Sequence, residues 1–171
     1  EKKLNFNIEN FSKFKDKIDY LIIDDLPANV KSPKKSWHEN HIRDQYQRNA
    51  LERGYKKFND EDLIMISDID EIPNPLKIKE FNIKNKYACF LQRNYQSKIN
   101  LLNSTNNNWA GTKICKKKNL KSPQWLRNLK TKKKPFWKIF SNNIQLINDG
   151  GWHFSFLKDP DSIKNKIISY A

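Results

Sequence analysis

A chain of 171 residues with no Gly-, Ser- or Pro-rich linker is long enough to bury one substantial core, and residues 1–171 read as a single domain. No run of eighteen apolar residues occurs and Glu1-Lys2-Lys3 opens no apolar signal segment, so neither a membrane span nor export is expected and the cytoplasm is the expected compartment. A net charge of +14 points to a polyanion or a small phosphorylated substrate, while Cys89 and Cys115, without C-x-x-C spacing, argue against a disulfide framework or a zinc site.

In chain order, Asn10 to Lys17 places Phe11 and Phe14 three apart, a short helix at best. Ile18-Asp19-Tyr20-Leu21-Ile22-Ile23 is a strand candidate that ends in Asp24-Asp25-Leu26-Pro27. From Trp37 to Arg53 the apolar residues Trp37, Ile42, Tyr46, Ala50 and Leu51 keep a helical period, with Ser36 as N-cap and Gly54 as the stop. Leu63-Ile64-Met65-Ile66 is too short for a helix and is stopped by Ser67 and Asp68, which fits a buried central strand. Pro73 and Pro75 then open a short helix over Leu76 to Ile83. Strand, helix, strand, helix is the order of a parallel α/β unit.

Beyond residue 85 the pattern turns to strands, at 86–91, 95–102, 109–115, 136–140, 144–147 and 152–156. Ser122-Pro123 opens a brief helix bearing Trp125, Leu126 and Leu129, and Asp159-Pro160 a last one with Ile163, Ile167 and Tyr170 on one face. The fold expected is therefore α/β, a Rossmann-like front half followed by a mixed sheet flanked by helices.

Residues 59–73 contain six acids and no Lys or Arg, leaving 33 basic against 13 acidic residues elsewhere, an acidic pocket in a basic field. Lys116-Lys117-Lys118 and the run from Lys130 to Lys134 read as loops or strand ends. In an extended segment Asp68 and Asp70 project to one side while Ile69 turns to the core, and two convergent carboxylates call for a hard cation, Mg²⁺ or Mn²⁺. Gly150 and Gly151 would let backbone approach a ligand beside His153, with Trp152 as a core indole. The same carboxylates would serve a metal-dependent nuclease or phosphotransferase. A basic nucleic-acid-binding module would need the five Trp and ten Phe exposed for stacking, whereas they occupy periodic apolar positions. Asn10-Phe11-Ser12 and Asn103-Ser104-Thr105 match the glycosylation pattern, as chance allows in so Asn-rich a chain.

Trp37-His38-Glu39 with Arg43 and Arg48, then Asp68-Ile69-Asp70-Glu71-Ile72-Pro73, then Gly151-Trp152-His153-Phe154-Ser155, and finally Ile163 to Ser169, resemble glycosyltransferase family 17 in order along nearly the whole chain. That family includes the β-1,4-mannosyl-glycoprotein 4-β-N-acetylglucosaminyltransferase, which adds the bisecting sugar to N-glycans. The resemblance implies a GT-A fold and an inverting transfer from a UDP-sugar, such as UDP-N-acetylglucosamine, to a glycan acceptor, with Mn²⁺ or Mg²⁺ as cofactor and nucleic acid not expected as partner. It implies Asp68, Asp70 and His153 as metal ligands, and Arg43, Arg48, Arg127, Gly150 and Gly151 around the donor or acceptor. The general base is left between Glu71 and Asp149. Mammalian relatives are membrane-anchored in the Golgi. Relatives also begin with a further strand and helix and continue beyond Ala171, so the chain is expected to be partial at both ends and, by itself, to bind UDP poorly and show little activity.

Overall fold

The computed structural model of the protein describes residues 6–26, 39–131 and 144–170. At its centre lies β3 (Tyr87–Gln96), whose first four residues are all buried, as a strand covered on both faces requires. One edge of β3 takes β4 (Asn108–Lys116) antiparallel. The other takes two parallel strands in series, β5 (Ile144–Ile147) along its first half and β6 (Gly151–Ser155) along its second. Outside these, β1 (Leu63–Ile66) pairs with β4 and β2 (Glu71–Pro73) with β6, both antiparallel. The product is one mixed α/β domain in which a curled mixed sheet is flanked by helices.

Period-two alternation divides the core into two clusters, one on each face of the sheet. Ile64, Ile66, Tyr87 and Cys115 pack with Leu126 and Trp125 of the short helix over Pro123–Arg127, while Ala88, Phe90, Ile114 and Ile147 pack with Phe81, Met65 and Ile78. Cys89 and Cys115 are free and buried. Burial pushes their thiols up, to about 11 and about 12, so both are inert at neutral pH.

The helices are α1 (Glu39–Ala50), α2 (Glu52–Tyr55), α3 (Pro123–Arg127) and α4 (Pro160–Tyr170), with 3₁₀ turns over Ile8–Lys17, Pro75–Glu80 and Lys117–Asn119. Ser122 caps α3 by accepting from the Trp125 N–H at 3.2 Å, and Asp159 accepts from the Ser162 N–H at 2.9 Å in the first turn of α4. Docking of α1 on α3 uses Asn49, whose Oδ1 accepts from the Gln124 N–H at 3.0 Å. None of the helices among the described residues is long and apolar enough to cross a membrane.

Several sequence expectations need correction. Residues 18–23 form no strand; Ile18 and Leu21 line a hollow together with Leu51, Tyr55, Phe58 and β1, and no ladder joins them to that strand. Consequently β1 is an edge strand among the described residues, not a central one. Gly54 does not stop the long helix, which breaks after Ala50 and resumes as α2. The strands expected at 86–91 and 95–102 are largely one, because the polar residues between them keep the alternation: Gln92 and Asn94 inward, Arg93 outward. Pro73 belongs to β2, and the turn after it starts at Pro75. Ile167 of α4 is exposed, so the expected apolar face of that helix is only partly covered. Ser36, Trp37 and His38, Lys132 to Lys134, and the strand expected at 136–140 lie outside the described residues.

Candidate functional site

Between β1 and β2 the chain reverses in a turn closed by the Glu71 N–H on the Asp68 carbonyl at 3.0 Å. This turn, not an extended segment, carries the acidic motif, and Ile69 stands fully exposed at its tip instead of turning to the core. The hydroxyl of Ser67 donates to the Glu71 carbonyl at 2.8 Å and meets Thr112 Oγ1 on β4 at 2.8 Å, which ties the turn to the sheet.

Asp68 and Asp70 therefore face different partners. The Asp68 carboxylate bridges two arginines, Oδ1 accepting from Arg48 Nη2 at 2.9 Å and Oδ2 from Arg127 Nη2 at 3.1 Å. Arg48 comes from α1 and is also held by Gln124 Oε1. Arg127 comes from the end of α3 and also donates to Glu71 Oε1 at 2.6 Å and to the Ala110 and Gly111 carbonyls at 3.3 and 3.1 Å. Buried Lys113 supports this end of α3 by donating to the Arg127 and Leu129 carbonyls, and burial lowers the pKa of its ammonium. In front of these groups opens a cleft of about 780 Å³ lined by His41, Asp44, Arg48, Asp68, Arg127 and Lys130 among others.

Glu71 is wholly buried and fully engaged. Besides Arg127, its Oε1 accepts from the Trp109 indole N–H at 2.7 Å, and its Oε2 accepts from the Asp68 N–H at 3.2 Å. A buried carboxylate engaged at both oxygens is suited to holding the turn and the arginine more than to taking a proton from a substrate hydroxyl.

Asp70 faces His153. In β6, buried His153 stacks on Trp109 with ring centroids 4.3 Å apart and planes 8° from parallel. Its Nδ1 lies 2.8 Å from Asn94 Oδ1, and the amide of Asn94 is oriented by donation from Nδ2 to the Asn106 carbonyl at 2.9 Å. Asn94 therefore offers an acceptor, so Nδ1 carries the proton and Nε2 keeps its lone pair. That nitrogen is 3.7 Å from Asp70 Oδ2. Burial lowers the His153 pKa, against the smaller opposite pull of Asp70, which favours the neutral ring.

A neutral imidazole nitrogen and a carboxylate facing one another are a donor pair for a divalent cation, with the Asn94 amide as the supporting acceptor that metal-ligating histidines use. Among the described residues no three His, Cys, Asp or Glu side chains are grouped to hold a metal, because Asp68, the third expected ligand, is on the arginines. Asp70 and His153 are the residues that could hold such a cation, with its other positions left to water and substrate phosphates.

The remaining expected residues lie elsewhere. Arg43 is exposed on α1 and lines neither the cleft nor the adjoining hollow by Asp68 and Asp70. Asp149 pairs with Arg93 at 3.2 Å, on the sheet face opposite to Asn94 and His153. Gly150 and Gly151 admit the protein's own backbone: a Cβ on Gly150 would lie 2.8 Å from Phe90 Cα, and one on Gly151, at φ 134°, 2.1 Å from the Ile72 carbonyl oxygen. Trp152, expected as core, is 37% exposed. Of the acids at the start of the motif region, Glu61 pairs with Lys116 at the end of β4 and with Lys118, which bring its carboxyl down to about 2.

Asp44, Asn94, Trp109 and Gln124 belong to the site without being marked by any motif. The signal for Asn94 was a polar residue at an inward position of a strand, since a buried polar group needs a partner. Asp44 stands one helical turn before Arg48, on the same face of α1. Comparison with protein-family models, curated proteins and solved structures finds no match, so the site rests on its own geometry.

Proposed function

We propose that the chain is the catalytic domain of a metal-dependent, inverting glycosyltransferase that moves a sugar, N-acetylglucosamine in the family it resembles, from a UDP-sugar to a glycan acceptor. The observation that carries the reading is His153 Nε2 3.7 Å from Asp70 Oδ2, beside a turn whose Asp68 carboxylate marks an oxyanion-sized position between two arginines. Asp70 and His153 would hold Mn²⁺ or Mg²⁺, which would stabilise charge on the departing diphosphate. Arg48 and Arg127 would bind phosphate oxygens by charge-assisted hydrogen bonds. In the transfer the bond from the sugar anomeric carbon to the UDP oxygen breaks, a bond to the acceptor oxygen forms on the opposite face, and the hydroxyl proton goes to a carboxylate. Glu71 is buried and engaged at both oxygens and Asp149 is on the far face, so Asp44, which lines the cleft, is assigned as that base.

The net charge of +14 favours a second reading, a metal-dependent phosphotransferase or nuclease using the same groups. Thermal shift with UDP, UDP-N-acetylglucosamine, pyrophosphate and short oligonucleotides, each with Mn²⁺ or EDTA, separates the two. Metal-dependent stabilisation by UDP compounds that is lost in Asp70→Asn and His153→Ala supports the transferase. Metal-dependent stabilisation by oligonucleotides alone supports the second reading.

A further inference from the structure

We infer that the Asp68 carboxylate is the resting occupant of an oxyanion site: a substrate phosphate displaces it from between Arg48 and Arg127, and the freed carboxylate turns to the cation held by Asp70 and His153. The identity of anion and cation rests on the proposed function; the site itself rests on geometry. A carboxylate placing one oxygen on each of two guanidiniums is the arrangement a phosphate reproduces with two of its oxygens.

The arginines do not depend on Asp68 for their positions. Gln124 holds Arg48, while Glu71 and the carbonyls of Ala110 and Gly111 hold Arg127. Their side chains are 22% and 14% exposed, against 34% for Asp68, so the acid is the outermost member of the trio and can leave toward solvent. Removal of Asp68 leaves Arg127 paired with buried Glu71 and takes from Arg48 the carboxylate that its guanidinium contacts, so that its charge faces the cleft. Asp68 and Asp70 meanwhile line the same hollow beside Arg48. The anion and the cation would then each favour the rearrangement that admits the other, and linkage makes that coupling reciprocal.

Calorimetry with inorganic pyrophosphate in EDTA tests the anion half without any metal. Asp68→Ala is expected to bind pyrophosphate about tenfold or more tighter than wild type, the effect of removing one charged competitor, and the gain is expected to vanish in Asp68→Ala/Arg48→Gln. Asp68→Asn, which keeps the shape, is expected to move in the same direction and serves if the Ala variant melts early. Equal affinity in wild type and both Asp68 variants overturns the proposal, as does a gain that survives loss of Arg48, which would mean an adventitious ion only. In the second half, Mn²⁺ affinity is read by EPR while sulfate, a weak ligand of Mn²⁺, is added. Wild type is expected to bind Mn²⁺ more tightly as sulfate fills the arginine site, and Asp68→Ala to show no such change. Mn²⁺ binding without that tightening overturns the exchange alone. No Mn²⁺ binding under any condition overturns both the exchange and the metal-dependent reading of the site.

Discussion

Asn94 and His153, neighbours across β3 and β6, share a 2.8 Å hydrogen bond that decides which imidazole nitrogen faces Asp70. Asn94→Ala removes the acceptor while leaving the stack on Trp109. The expected outcome is loss of the fixed Nδ1–H tautomer, seen in the ¹⁵N shifts of the ring, and a fall in Mn²⁺ affinity of about 10- to 100-fold, the usual cost of a supporting partner. An unchanged ring spectrum would mean that Asp70 or Trp109, not Asn94, sets the tautomer.

His153 also makes stability depend on pH. Its folded pKa is lowered from 6.5, chiefly by burial, so the unfolded chain takes up the proton first. Its contribution is fully present above about pH 6.5, is lost as pH falls through that value toward the folded pKa, and levels off below, with a slope of at most about 1.4 kcal/mol per pH unit. Urea midpoints measured in EDTA from pH 7.5 to 5 should fall more for wild type than for His153→Gln.

Glu71 should be a residue of stability. Glu71→Ala strips part-buried Arg127 of its shortest ion pair and Trp109 of its acceptor, at a cost of about 2 to 3 kcal/mol because Asp68 and two carbonyls still hold the arginine, whereas Glu71→Gln keeps an acceptor and should cost less. Chemical denaturation ranks the two. Near-wild-type stability of Glu71→Ala would show that the network is not closed in solution.

In β6 the glycine matters more to the fold than the tryptophan. Trp152→Ala should cost about 1 to 2 kcal/mol, less than the roughly 3 to 5 typical of a buried aromatic, because the indole is 37% exposed. Gly151→Ala should cost more, since its Cβ would fall 2.1 Å from the Ile72 carbonyl oxygen at a backbone angle side chains resist. Melting temperatures in the opposite order would reverse these assignments.

Local pattern was sufficient for much of this molecule. The strand runs at Leu63–Ile66 and Ile144–Ile147 and the capped helices at Ser122-Pro123 and Asp159-Pro160 all follow from runs, caps and spacing, which are properties of neighbours in the chain. Asp70 and His153 are also legible as candidates from residue type and position, and Arg48 and Arg127 from the family resemblance. Their partners are not. Asp68 was paired with Asp70 on the assumption of an extended segment, and the Asp68–Glu71 turn instead delivers it to arginines 20 and 59 residues away. The engagement of Glu71 by Trp109 and Arg127, the tautomer of His153 set by Asn94, and the edge position of β1 are likewise contacts between distant segments. No local period encodes them, since they depend on which strands lie side by side and on which face of the sheet each side chain emerges.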